Sequence, residues 1–224
     1  MGNNAQTLKA MVARAARLVA FTGAGISAES GIPTYRGADG VWNKYDPSKY
    51  ADIRYFREEP SYYWNFFKDV RYPVLKKAQP NKGHLALAKL EETDKLSAII
   101  TQNIDGLHQI AGSNRVLELH GNTRRILCLE CGELYGIETV YRIIETQLPP
   151  RCSKCDGVLK PDVVFYGDSV PKATVAKAYE WVANAKSLLV FGSSQMIFSS
   201  FRIVRRAAEL GVPVYAINRG RTRG

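Results

Sequence analysis

Four cysteines fall as Cys128-x2-Cys131 and Cys152-x2-Cys155, with twenty residues between the pairs. Two such turns can each offer a pair of thiolates to one tetrahedral ion, the arrangement of a zinc ribbon; two disulfides or a redox Cys-x-x-Cys are the other readings. Four thiolates close the coordination shell, so the expected metal is structural and the chemistry must come from elsewhere. A second group, Gly23-Ala24-Gly25-Ile26-Ser27-Ala28, satisfies G-x-G-x-x-[G/A]. Glycines so spaced let a backbone approach a pyrophosphate at a helix start, although a tight turn without ligand reads the same. Gln102-Asn103-Ile104-Asp105-Gly106 offers an amide and a carboxylate suited to a carboxamide or ribose hydroxyls. Asp105 would equally cap the helix holding Leu107 and Ile110. Of three histidines, His84 and His108 lie on predicted helices, packed or at the surface. His120 ends Val116-Leu-Glu-Leu119 before Gly121, a place suited to a general base or, more blandly, to a bond with nearby backbone.

These groups need elements to hold them. Leu8, Met11, Val12 and Ala15 or Ala16 predict a helix over 5–17, and Leu18-Val-Ala-Phe21 a buried strand running into the glycine turn. Pro80-Asn81 opens a predicted helix through about Glu92 with Leu85, Leu87 and Leu90 inside. Leu96–Thr101 and Val116–Leu119 come next as strands, so Gln102 and its neighbours fall at a strand's carboxyl end, where open α/β sheets bind ligands. Further on come a helix over 172–184, a strand over 187–192, an amphipathic basic helix over 200–210 closed by Gly211, and a strand over Val212–Ile217. This alternation predicts an α/β fold, a parallel sheet covered by helices on both faces. Two stretches interrupt it as insertions: 33–79, rich in Tyr, Trp, Phe and Pro, and 124–159, which holds every cysteine.

With 224 residues, 46% hydrophobic and 23% charged, the chain suits one sizeable core with a small satellite, which excludes disorder and coiled coil. No apolar run approaches the ~20 residues of a membrane helix, and no signal or myristoylation pattern opens the chain, so a cytoplasmic location is expected. The net charge of +10 favours anionic partners, but the basic residues are spread out and read mostly as solvated surface. Arg219-Gly-Arg-Thr-Arg-Gly224 is the one basic cluster.

Gly23-Ala-Gly-Ile-Ser-Ala-Glu-Ser-Gly-Ile-Pro-Thr-Tyr-Arg-Gly37, Thr101-Gln-Asn-Ile-Asp-Gly-Leu-His108, Leu119-His-Gly121, the paired cysteines and Lys160-Pro-Asp-Val-Val-Phe-Tyr-Gly167 together resemble the sirtuins, prokaryotic type, in family order. That resemblance implies an NAD-dependent protein lysine deacetylase, with NAD as co-substrate and one structural Zn2+. It implies a Rossmann-like domain of residues 1–32, 80–123 and 160–224, with the helical insert 33–79 and the zinc ribbon 124–159 forming a small domain. Gly23, Ala24, Gly25, Ser27, Glu29, Thr34, Tyr35, Arg36 and Trp42 would line the NAD site, joined by Gln102, Asn103, Ile104, Asp105, Gly192, Ser193, Ser194 and Asn218. His120 and Asn103 would be catalytic. Acetylated-lysine proteins would bind at Phe67, Val163, Phe165, Tyr166, Gly167 and Met196, with Val163–Tyr166 an extended edge pairing with the substrate peptide, or else a plain core strand.

The implied reaction transfers the acyl group to ADP-ribose: nicotinamide leaves, His120 takes a proton from a ribose hydroxyl, and lysine is freed with 2′-O-acyl-ADP-ribose. Departures from the family pattern are Tyr35 where phenylalanine is usual, Thr34 for aspartate, and Ser199-Ser200 where Pro-Ala is common. Members commonly continue beyond the position of Gly224 with a loop and helix that help cover the adenine. Members that remove succinyl or malonyl groups carry Tyr-x-x-Arg in the insert; here Phe67 and Val70 align there and Arg71 falls one residue late, which favours uncharged acyl groups. Two rival functions stand beside this one: mono-ADP-ribosyl transfer, and a nucleic-acid-binding zinc protein without catalysis; a basic surface could also bring the enzyme itself into indirect association with nucleic-acid-bound proteins.

Overall fold

The computed structural model describes residues 12, 17–35, 40–195 and 198–219, with backbone alone at 198 and 199. The predicted helix 5–17, apart from Val12 and Arg17, lies outside the described residues, as do Arg36, Met196 and the tail beyond Arg219. Leu18-Val-Ala-Phe-Thr forms strand β1 (Leu18–Thr22), buried at every position because it lies mid-sheet. Its neighbours run in the order β3 (Val116–Glu118), β2 (Leu96–Thr101), β1, β7 (Ser187–Phe191), β8 (Val214–Ile217), all parallel. One face packs Leu18, Ala20, Ile99 and Leu189 on Leu87; the other packs Phe21, Ile100 and Val190 on Val182, Ile203 and Ala207. Two covered faces are therefore found for β1, β2 and β7, but not for β8, where Val214, Tyr215 and Ile217 are exposed at the sheet edge.

Helix Lys82–Glu92 corrects one expectation. Leu85 points to solvent, and His84 is buried beside Leu87 in its place. The Asn81 side chain accepts from the Gly83 amide, and His84 Nδ1 accepts from the Asn81 amide, so the imidazole closes the helix cap and enters the core already bonded.

The two interruptions fold together. The first supplies helices Pro47–Tyr50, Ile53–Glu58 and Pro60–Phe66, a wide π turn Phe67–Arg71, and helix Tyr72–Lys77. The second forms an antiparallel sheet of β5 (Leu134–Gly136), β4 (Gly121–Cys128) and β6 (Leu159–Val163), with helix Ile137–Ile144. Tyr63, Trp64, Phe67 and Tyr72 of the first share one core with Ile126, Val140, Ile144 and Leu159 of the second, and Trp64 Nε1 donates to the Leu159 carbonyl at 2.9 Å.

β4 leaves the parallel sheet through Gly121, whose φ is +77° and where an added Cβ would collide with the Asp162 carbonyl oxygen. Backbone faces backbone there, so no rotamer relieves the clash. Gly121→Ala is expected to destabilise the chain by roughly 2–4 kcal/mol, read from the urea midpoint; a shift below about 0.5 kcal/mol would contradict this local geometry.

Candidate active site

β1 and β7 are neighbours from which the chain departs in opposite directions, from β1 to β2 on one side and from β7 to β8 on the other, so the loops after β1 and β7 part at a crevice on the carboxyl edge of the sheet. The glycines serve that crossing. A Cβ on Gly23 would lie 2.8 Å from the Gly192 oxygen, and one on Gly25 would lie 2.7 Å from the Gly192 Cα. The Gly23 and Gly25 amides donate to Phe191 and Gly192 carbonyls, so they are already used inside the protein. The next segment, Ala24–Ser30, is a 3-10 helix rather than an α-helix. The motif thus builds the crevice floor, and it does so without the α-helix N-terminus that its spacing suggests.

Ser27, buried in that segment, is a hub. Its hydroxyl donates to Asp105 Oδ2 (2.8 Å) and accepts from Asn103 Nδ2 (3.0 Å). Because His84 Nδ1 takes the Asn81 amide proton, its Nε2 carries hydrogen and donates to Ser27 Oγ at 3.3 Å. Asp105 Oδ1 accepts from the Leu107 amide, so the capping and the site readings of Asp105 both hold. Behind Asn103 a second chain runs from His108 Nε2 to Thr22 Oγ1 (2.9 Å), on to Thr101 Oγ1 (2.8 Å), which also accepts the Asn103 amide (3.0 Å). Burial pushes His108 down to about 3, so it stays neutral. Sequence reasoning takes both histidines as ordinary packed or surface residues of helices, and does not find their hydrogen bonds to Ser27 and Thr22.

His120 sits at the β3–β4 junction, in a cleft of about 530 Å³ that also takes in Tyr35, Trp42, Gln102, Ile104, Val163 and Phe165. Its Nδ1 lies 3.1 Å from the Gln102 carbonyl, which can only accept, so Nδ1 carries the hydrogen and the lone pair is on Nε2. Burial lowers its pKa, Arg202 on the cleft wall acts the same way, and the Gln102 carbonyl opposes both. Gln102 Nε2 in turn donates to Ser193 Oγ (2.7 Å), tying the ends of β2 and β7.

Other expected residues scatter more widely. Ala24, Thr34 and Asn218 are partly buried, Glu29 and Ser194 are exposed, and Gly192 crosses the floor. Tyr35 stacks on Trp42, centroids 5.3 Å apart. Tyr166 and Gly167 join Val163 and Phe165 on the wall, whereas Phe67 is wholly buried among Tyr63, Trp64 and Tyr72, away from the cleft. The edge Val163–Tyr166 is less open than its sequence suggests: Phe165 bonds to Asp168, and Tyr166 to Ala51 and Ile53. Arg71, one residue late against Tyr-x-x-Arg, nevertheless lines the cleft. The π turn carries it to the cleft, where Nη1 donates to the Tyr35 hydroxyl (3.1 Å) and the guanidinium lies 5.3 Å from that ring's centroid.

The cysteines are free thiols, with Cys128 and Cys155 Sγ 3.5 Å apart, Cys131 and Cys152 Sγ 3.6 Å apart, and all four within 4.8 Å of one another. Zn–S bonds of about 2.3 Å in a tetrahedron put sulfurs about 3.8 Å apart, so this donor set fits one zinc ion. The crevice suits a dinucleotide as well: the loop after β7 holds the Gln195 side-chain amide buried without a partner among the described residues, and Trp42 Nε1 is likewise unpaired.

Crevice, thiolate ribbon and cleft histidine define a Rossmann-type nucleotide enzyme with a structural metal module. The profile of the Sir2 family matches residues 23–199. A protein of Aquifex aeolicus named NAD-dependent protein deacylase is 44% identical over 202 residues, which span 90% of this chain and 82% of that one. One of Sulfurisphaera tokodaii named NAD-dependent protein deacetylase is 44% identical over 201 residues, 89% of this chain and 78% of that one. A Sir2 variant solved with deacetylated p53 peptide and acetyl ADP ribose superposes with a TM-score of 0.91 at 35% identity, covering 97% of this chain and 87% of that one. The chain belongs to the Sir2 family, the sirtuins.

Proposed function

We propose that this protein removes acyl groups from lysine in protein substrates with NAD as co-substrate, acting as a deacetylase. The observation that carries the reading is His120, whose Nδ1–H is anchored on the Gln102 carbonyl so that Nε2 is its basic nitrogen, and which burial biases toward the neutral imidazole in the cleft beside the sheet crevice. When bound, NAD supplies a nicotinamide–ribose bond to break and a ribose hydroxyl to receive the acyl group. Ser27, Asn103 and Asp105 would orient the ribose and carboxamide, with Asn103 at the reacting end. Gly23, Ala24, Gly25, Thr34, Arg36, Gly192, Ser193, Ser194 and Asn218 would complete the cofactor contacts. Tyr35 and Trp42 would exclude water and offer an aromatic face to developing positive charge. His120 would take the hydroxyl proton on Nε2.

The acyl-lysine peptide would lie along Val163–Gly167 and reach Met196. Among the described residues the Val164 carbonyl and Gly167 amide carry no backbone hydrogen bond, which supports pairing at those two points. In this reading residues 33–79 and 124–159 form a small domain against the Rossmann-like body. Four reduced thiols suit a reducing compartment such as the cytoplasm, and the +10 charge suits recruitment to nucleic-acid-associated proteins. Mass spectrometry of the products tests the function: 2′-O-acetyl-ADP-ribose is expected, whereas ADP-ribose fixed to protein would support the transferase rival.

Arg71 favours a second reading of the acyl group. Among the described residues its Nε is buried without a partner and no carboxylate lies within ion-pair distance of the guanidinium. A cleft guanidinium so placed suits a carboxylate-bearing acyl chain as well as a neutral one. Arg71→Met is expected to lower the succinyl-to-acetyl preference about 10–100-fold, since a hydrogen bond to a charged group is worth about 1.5–3 kcal/mol. An unchanged ratio of kcat/KM values would contradict it.

A further inference from the structure

Among the described residues Lys160 is the only buried lysine. Its Nζ donates to the Val163 carbonyl (2.6 Å) and the Pro161 carbonyl (3.3 Å), lies 3.7 Å from Asp168 Oδ2, and stands 4.3 Å from the Phe165 ring centroid. Asp168 closes the loop from the other end: its carboxylate accepts from the Phe165 amide (3.1 Å) and its amide donates to the Phe165 carbonyl (3.0 Å). Residues 161–168 are thus folded around one ammonium. The far side of that loop, Val163 to Asp168, is cleft wall, and the Val164 amide donates to the carbonyl of His120 at 2.9 Å.

Burying an ammonium is costly, and here burial pushes it toward the neutral form, with Arg57 acting the same way and Asp168 and Asp162 opposing. A methionine would fill the space without that penalty, so the charge needs a reason other than packing. We propose that Lys160 is a positioning residue, whose ammonium sets the main-chain path of 161–168 and with it the edge on which the acyl-lysine peptide is read. The proposal rests on the deacylase reading of the cleft. Its consequence is selective: the dinucleotide crevice is built from the β1, β2 and β7 loops, and among the described residues no hydrogen bond or ion pair joins Lys160 to them.

The test compares wild type, Lys160→Met and Lys160→Arg in acetyl-peptide kinetics, ADP-ribose binding by calorimetry, and hydrogen exchange of residues 161–168. The methionine variant is expected to raise the peptide KM about tenfold, to lower kcat less than threefold, and to exchange the Val164–Tyr166 amides at least tenfold faster. ADP-ribose affinity stays within twofold and certifies the fold; arginine, which keeps the charge, restores part of the KM. Unchanged KM with normal exchange would overturn the proposal. So would a loss of ADP-ribose binding in step with kcat in both variants, which marks a general structural role. Should the wild type turn over no acyl peptide, the deacylase reading fails instead, and the exchange rates alone decide for or against the clamp.

Discussion

Replacing His120 with alanine is expected to cut deacetylation by about 10²–10⁴-fold, the range of a positioned general base. The loss is expected to fall on chemistry because, among the described residues, the hub of Ser27, Asn103 and Asp105 that would orient the ribose has its hydrogen bonds to groups other than the imidazole. The same surroundings set the wild-type pH profile. Burial and Arg202 lower the His120 pKa below its ordinary value near 6.5. The base form exists above that pKa, so the acid limb of kcat should lie below pH 6.5 and vanish from the residual activity of the variant. An alanine variant retaining a tenth of the wild-type rate, or an acid limb above pH 7, would remove His120 from the base role.

Stripping the metal should be nearly as damaging, and by a different route. Cys128 ends β4 and Leu159 opens β6, while the far ends of the same strands carry Gly121, next to His120, and Val163. The four thiolates therefore close one end of a ladder whose other end is cleft wall. The ribbon's core is shared with the helical insert, so its loss exposes Trp64, Tyr72 and Leu159 together. Structural zinc contributes about 10–16 kcal/mol to small fingers, comparable with the ~5–15 kcal/mol stability of a whole domain. Wild-type protein should carry one zinc per chain by elemental analysis. Chelation, or Cys152→Ser, should lower Tm by more than about 10 °C and activity more than a hundredfold. Metal-free protein with normal Tm and turnover would contradict a structural zinc.

Much of this site is legible in the residues. Apolar runs such as Leu18–Phe21 announce a sheet buried on both faces, and the cysteine spacing announces four convergent thiolates, because both signals are local. The misses are tertiary. Leu85 and His84 exchange places because bonds from Asn81 and to Ser27 let an imidazole be buried, which no periodicity encodes. Spacing reads the glycines at 23 and 25 as a ligand cradle or a tight turn, and does not show the further demand that the crossing with Gly192, distant in sequence, places on them. Alignment puts Arg71 one residue late against Tyr-x-x-Arg, and nothing in the sequence marks the π turn that spans Phe67–Arg71 or the place of Arg71 on the cleft. Lys160 reads as surface by type, and only the folding of 161–168 around it shows otherwise.

The most direct test of the central claim is nicotinamide release from NAD, measured with an acetyl-lysine peptide beside the unmodified peptide. One nicotinamide per lysine deacetylated, with release dependent on the acetyl group, is the expected result. Release that ignores the acetyl group, or NAD binding with no release at all, would contradict the deacetylase reading.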